Sequence, residues 1–192
     1  MASTWGWVMS DVSVSPSAKG PIAVRISSLS QLFNSLDPFP FQERDLDKNA
    51  EEFIVGWARE LPRDQPIQIV LHLPATEVQK PECKDVGAAL QRYFNYRAEV
   101  TQRDLNELFR TGRLSLLIGM AVLAVGLLAT QYITGRLGES QLARYFQEGL
   151  IIMSWVANWK PMETFLYDWW PVARTRNLYR RLANAEVEMR PY

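Results

Sequence analysis

Three ionisable side chains stand in a segment otherwise rich in aromatic and aliphatic residues, NWKPMETFLYDWWPV. They are Lys160, Glu163 and Asp168. Lys160 and Glu163 are three residues apart, a spacing that lets them pair on a helix. At the centre of a bilayer such groups would serve an ion or proton path. At its surface they would pair and belong to a partner or lipid interface without conducting, and that is the favoured reading. A path lined by two spans per chain would also require oligomerisation.

The remaining candidates for chemistry are weaker. His72 is the only histidine and lies in an apolar strand. General-base work needs a carboxylate, serine or cysteine beside it, and no motif supplies one, so its role is structural. Cys83, the only cysteine, lies between Glu82 and Lys84 in a proline-containing loop. It reads as exposed and inert, because no histidine is placed to activate it. The acidic run Glu43, Asp45, Asp47, Glu51 and Glu52 lacks calcium-loop spacing and reads as the start of a helix. Glycine-rich phosphate loops and Cys or His metal patterns are absent from the sequence. No catalytic residue, cofactor or metal is expected, and the chain is read as a non-enzyme.

What must position these groups is a membrane. The run from Leu114 to Gly135 is uncharged and bounded by Arg113 and Arg136. As a helix it is about 33 Å long, enough for a hydrocarbon core of roughly 30 Å. Its ten Leu, Ile and Val residues favour insertion by roughly 3–6 kcal/mol in total. Ser115, Gly119, Gly126 and Thr130 lie near one stripe of this helix. Small residues so placed let a second helix approach closely. Gly112 reads as a flex point where the helix enters the membrane.

Charge then sets the topology. Arg103, Arg110 and Arg113 precede the span, and Arg174, Arg176, Arg180 and Arg181 follow the last apolar stretch. The positive-inside rule puts both ends in the cytoplasm, which calls for a second crossing between about Gln141 and Trp159. Pro161 would end that helix and open a short interfacial segment. Trp155, Trp159, Trp169 and Trp170, with Tyr167, put four of the seven tryptophans in that region. Such residues favour the headgroup level, and they also suit a docking surface. The arginines at 174, 176, 180 and 181 would meet anionic lipid as well as fix topology.

The part preceding the span reads as a small α/β domain in β-α-β-α order. Strands are expected at Ile22–Ile26 and Ile67–Leu73, with a possible antiparallel edge at Val12 and Val14. A short amphipathic helix carries Leu29, Leu32, Phe33 and Leu36, and a helix of about fourteen residues is capped by Asp45 or Asp47. A long helix begins near Asp85 and runs into the span. Two strands make a marginal sheet, so the third is expected from the N-terminus or from a partner.

The resulting division is an N-terminal segment (1–20), a cytoplasmic α/β domain (21–111), a first span (112–136), and an external loop with second span (137–160). A Trp-rich interfacial segment (161–172) and a basic cytoplasmic tail (173–192) follow. Neutral net charge argues against nucleic acid. The expected partners are membrane lipids and other membrane subunits or further copies of the chain. The expected function is a multi-pass scaffold, assembly or accessory subunit of a larger complex in a bacterial inner membrane. A channel or transport subunit using Lys160 and Glu163 is the alternative. An enzyme acting on lipid through Asp168, Glu163 and His72 ranks last.

Overall fold

The computed structural model describes residues 20–34, 44–137 and 141–192. The proposed edge strand at Val12 and Val14 lies outside these residues, as do Leu36 and the connection 138–140. Three strands, β1 (Ile22–Arg25), β2 (Gln68–Leu73) and β3 (Glu186–Pro191), form one sheet in that order. Both pairings are parallel. Helix α1 (Lys48–Glu60) connects the first two strands, and the short α2 (Ala75–Val78) follows β2. Then come α3 (Val86–Leu137), α4 (Gln141–Glu163) and α5 (Trp169–Ala183), before the chain re-enters the sheet as β3.

The third strand comes from the chain's own C-terminus. Residues 173–192, expected to be a basic tail, instead finish α5 and form β3, which makes β2 the central strand. Glu186-Val187-Glu188-Met189 alternates polar and apolar residues, the signature of a half-buried strand, but the surrounding arginines obscure it. The register aligns Ile22, Ile69 and Val187 in one row and Val24, Leu71 and Met189 in another. These side chains form or join the hydrophobic core, while the row of Arg25, His72 and Arg190 belongs to the opposite face, which it shares with Ala23, Val70 and Glu188.

Local signals explain the helices around that core. Asp47 caps α1 by accepting from the amides of Asn49 and Ala50. Ile54, Val55 and Ala58 recur on one face of α1 and are buried. Leu29, Leu32 and Phe33 are buried as expected, but on a single 3-10 turn (Leu29–Gln31) rather than an α-helix. Cys83 is 3% exposed, contrary to expectation. Its thiol donates to the Glu77 carbonyl at 3.1 Å, and burial raises its pKa.

Helix α3 has 52 residues and no break, a length of about 78 Å. Its first half packs on the domain; its second half contains the one stretch among the described residues that is long and apolar enough to cross a membrane. Only 11% of that stretch is buried, whereas a core helix of a soluble protein would be mostly covered. Along α3, every seventh residue from Ala98 (Ala98, Leu105, Gly112, Gly119 and Gly126) is buried. A seven-residue period keeps one seam turned toward one neighbouring helix.

The neighbour is the returning chain, which runs antiparallel to α3. Gly126 faces Ser154, Gly119 faces Asn158, and Gly112 faces Thr164 and Phe165. Further down, Gln102 accepts from Arg176, and Phe94 stacks on Tyr179 at 6.2 Å. Gly112 is therefore a contact point inside a continuous helix and does not act as a flex point. Pro161 does not end α4 either: the helix continues, and a π turn at Thr164–Asp168 carries it into α5. Proline withholds an amide from the Ala157 carbonyl, but the contacts with α3 on both sides of it keep the chain on course. The uncharged part of α4, Gly149 to Trp159, is about 16 Å long and would not cross a bilayer on its own composition.

Candidate functional site

The candidate site lies where α4 passes through the π turn into α5, beside the base of the apolar stretch of α3. The π turn adds a residue to the helical cycle and brings Lys160, Glu163, Thr164 and Asp168 to one side. The Lys160 ammonium donates to Glu163 Oε2 at 3.2 Å and to Asp168 Oδ2 at 3.3 Å. Thr164 Oγ1 donates to the same Asp168 oxygen at 3.3 Å. Gly112 lies against Thr164 and Phe165, so this cluster is level with Arg113, at the edge of the uncharged run rather than its middle. All three charged groups remain solvent-accessible.

The tryptophans separate into different environments. Trp169 is packed, with its indole N–H donating to the Phe165 carbonyl at 2.9 Å and its ring 6.3 Å from Phe109. Trp170 is exposed, and the Arg174 guanidinium lies 4.6 Å from its ring centroid. Tyr167 is exposed beside them. Trp155 and Trp159 are 67% and 66% exposed on α4. Trp155 follows Ser154, which faces Gly126, a position about 18 Å along the run from Leu114. It is thus level with the middle of the apolar stretch and not with its ends.

The helix-packing stripe of α3 lies against α4, the helix that occupies the stretch read as the second crossing. Gly119 and Gly126 are buried, while Ser115 and Thr130 are half-buried at the margin. Asn158 donates to the Gly119 carbonyl at 3.1 Å and to the Ser154 carbonyl at 2.9 Å. Ser154 donates to Leu150 at 2.8 Å. A lone Asn in an apolar run is a visible signal for such a contact, but its register against α3 is a tertiary matter.

The arginines also separate. Arg176 donates to Gln102 at 2.8 Å and is held by Asn177. Arg181 donates to the carbonyls of Pro62 at 2.7 Å and Gln65 at 3.0 Å, fastening α5 to the turn after α1. Arg180 is exposed in the last turn of α5, where a cation complements the helix C-terminus. Arg174 and Arg181, with Arg59 and Arg63, line a cavity of about 680 Å³ between α5 and the end of α1. Tyr167 and Trp170 form its wall on the side of α4.

A second polar cluster was not anticipated. Glu51 on α1 accepts from Tyr93 at 2.8 Å, Arg97 at 3.0 Å and Tyr179 at 3.0 Å, joining α1, α3 and α5. Burial, then the bond to the Glu51 carboxylate, pushes the Tyr93 phenol well above its ordinary pKa. The cluster holds no nucleophile, and its hydrogen bonds are satisfied within the protein, so its geometry is that of a structural brace. His72 stands on β2 between the registers of Arg25 and Arg190, and no hydrogen bond ties its ring to a catalytic partner among the described residues. Groups of three or more potential metal ligands are likewise absent among the described residues.

Comparisons with protein families, with curated proteins and with solved structures find no match to this chain.

Proposed function

We propose that this chain is a two-span membrane anchor for a small cytoplasmic α/β domain, and that it works without enzymatic activity as a scaffold or accessory subunit of a larger membrane complex. The pairing of β2 with β3 carries the topology. Strand β2 precedes α3 and β3 follows α5, so two strands of one sheet share one side of any membrane. If α3 crosses once, the chain must cross back before β3. Among the described residues the route back is α4, whose polar residues Asn158 and Ser154 turn toward α3 while Trp155, Val156 and Trp159 are exposed. The flanking arginines favour a cytoplasmic domain by the positive-inside rule, in keeping with a bacterial inner membrane.

A partner within the membrane is favoured by Trp155, because indole prefers the interface over the hydrocarbon middle. The channel reading draws less support. Lys160 pairs with two carboxylates at the edge of the apolar run, where the cost of charge is lowest.

Topology is tested by maleimide labelling of intact cells carrying Cys83→Ser with either Gly135→Cys or Glu60→Cys. A membrane-impermeant reagent should reach position 135 from outside and position 60 only after lysis. Labelling of both from one side would remove the two-span reading. For function, the protein extracted in mild detergent should migrate with defined other subunits, and Trp155→Ala with Trp159→Ala should release them without loss of insertion. A bare monomer, or partners indifferent to both substitutions, would overturn the docking role.

A further inference from the structure

The arginines of the cavity between α5 and the end of α1 stand clear of any membrane. On α5, Arg176 is level with Gln102 and Tyr179 with Phe94. Counted along α3 from Gly112, at the base of the apolar run, these levels are about 15 Å and about 27 Å out. A headgroup layer is only about 5–8 Å deep. Arg174 and Arg181, on either side of these levels, therefore face water, and so does the turn after α1 that Arg181 holds. Whatever occupies the cationic part of the cavity arrives from solution.

Four guanidiniums line it: Arg59 from the last turn of α1, Arg63 from the following turn, and Arg174 and Arg181 from α5. No carboxylate lines it. Glu60 and Asp64 follow Arg59 and Arg63 in the chain, yet none of the four arginines has a carboxylate partner among the described residues. In a chain of zero net charge, this is a local concentration of cations. Two of them are pre-positioned. Arg174 rests over the Trp170 ring, and Arg181 is fixed by the Pro62 and Gln65 carbonyls. The guanidinium fork matches phosphate oxygens, and fixing it beforehand reduces the entropy lost on binding.

We propose that this cavity binds a soluble anion built of two or more linked phosphates, the chemistry of the tail of a nucleoside diphosphate or triphosphate. Four cations outmatch a single phosphate, and a volume of about 680 Å³ exceeds what one phosphate would fill. Linked phosphates bring several charges into one small volume, whereas the carboxylates of a peptide are spread one to a side chain. Leu61, Pro171 and Leu178 add an apolar wall that accommodates an uncharged organic part beside the phosphates. The site does not depend on whether α4 crosses the membrane.

The test titrates inorganic tripolyphosphate and orthophosphate into the full chain in mild detergent, at one fixed ionic strength, by calorimetry. Wild type should bind tripolyphosphate at least tenfold more tightly than orthophosphate. Arg59→Gln with Arg63→Gln should weaken tripolyphosphate at least tenfold. The charge-matched control, Arg92→Gln with Arg103→Gln, should leave it unchanged. Arg59 and Arg63 are exposed, so an unchanged gel-filtration profile should accompany the loss. No binding of tripolyphosphate, or equal weakening in the two double variants, would overturn the site. A tetraglutamate peptide displacing tripolyphosphate at equal concentration would also overturn it, by assigning the cavity to an acidic protein segment. Phosphatidylglycerol in mixed micelles displacing it equally well would do the same, by returning the phosphate to a lipid. Failure here with position 135 still labelled from outside would count against the polyphosphate site alone.

Discussion

The Asn158 side-chain amide lies 3.1 Å from the Gly119 carbonyl, bridging α4 to α3 within the uncharged run of α3. The approach is possible because residue 119 has no side chain: a Cβ there would lie 2.6 Å from Asn158 Oδ1. In a bilayer both chains would already be helical, so this contact contributes to how they associate and not to whether they form. Asn158→Ala is expected to cost about 1 kcal/mol of helix-pair stability. The loss should appear as a lower thermal midpoint in detergent, with insertion unaffected. An unchanged midpoint would mean that the bond is replaced by water or lipid.

Two glycines should respond in opposite directions to alanine. Gly119→Ala must displace both the Asn158 side chain and the Ala157 carbonyl, which would lie 3.1 Å from the new methyl. It is expected to loosen the helix pair. Gly56 is exposed within α1 and has open space where a Cβ would go. Gly56→Ala should stabilise the domain by about 0.5–1 kcal/mol through lower unfolded-chain entropy and better helix propensity. Denaturant midpoints of both variants check the contrast, and a shared sign would refute it.

Glu51 and its three donors predict a response to pH. Glu51→Gln leaves Arg97 beside two phenols without its counter-charge. Arg97 is partly exposed (38% for its side chain), so the expected loss is about 1–3 kcal/mol and not that of a fully buried pair. Tyr93 has a folded pKa above its ordinary value. It stays protonated in the folded state while the unfolded chain ionises near pH 10. Stability should therefore hold below about pH 10 and fall as pH rises further. Tyr93→Phe should be less stable at neutral pH yet show a shallower alkaline decline. Parallel declines for the two proteins between pH 9 and 11 would count against the assignment.

Strand β3 should be indispensable to the domain. Removing residues 186–192 strips β2 of six aligned residues and of the Tyr192 amide bond to the Leu73 carbonyl at 3.0 Å. The sheet would fall to two strands, which is marginal in water. The truncated chain should still insert, but its domain should be cut by trypsin at Arg59 or Arg63 under conditions that spare the full protein. Equal resistance would show that β1 and β2 with their helices suffice.

Much of this protein is decided by local signals. The uncharged run from Leu114 to Gly135 specifies a long apolar helix, because hydrocarbon length and side-chain transfer depend on composition alone. Strands β1 and β2, the Asp47 cap and the start of α3 follow from alternation, capping chemistry and the lack of proline. Continuity through Pro161 was hidden, because proline's local preference is to end a helix and only contact with α3 reverses it. Cys83 looks exposed among charged neighbours and is buried by the turn that carries it. The destination of the last residues was hidden most deeply, since Val187 and Met189 become core only beside Ile69 and Leu71. The convergence of Arg59 and Arg63 with Arg174 and Arg181 also needed the fold. Sequence determines which segments are apolar, charged or capped. Which of them meet across more than a hundred residues depends on packing, and that only the tertiary structure decides.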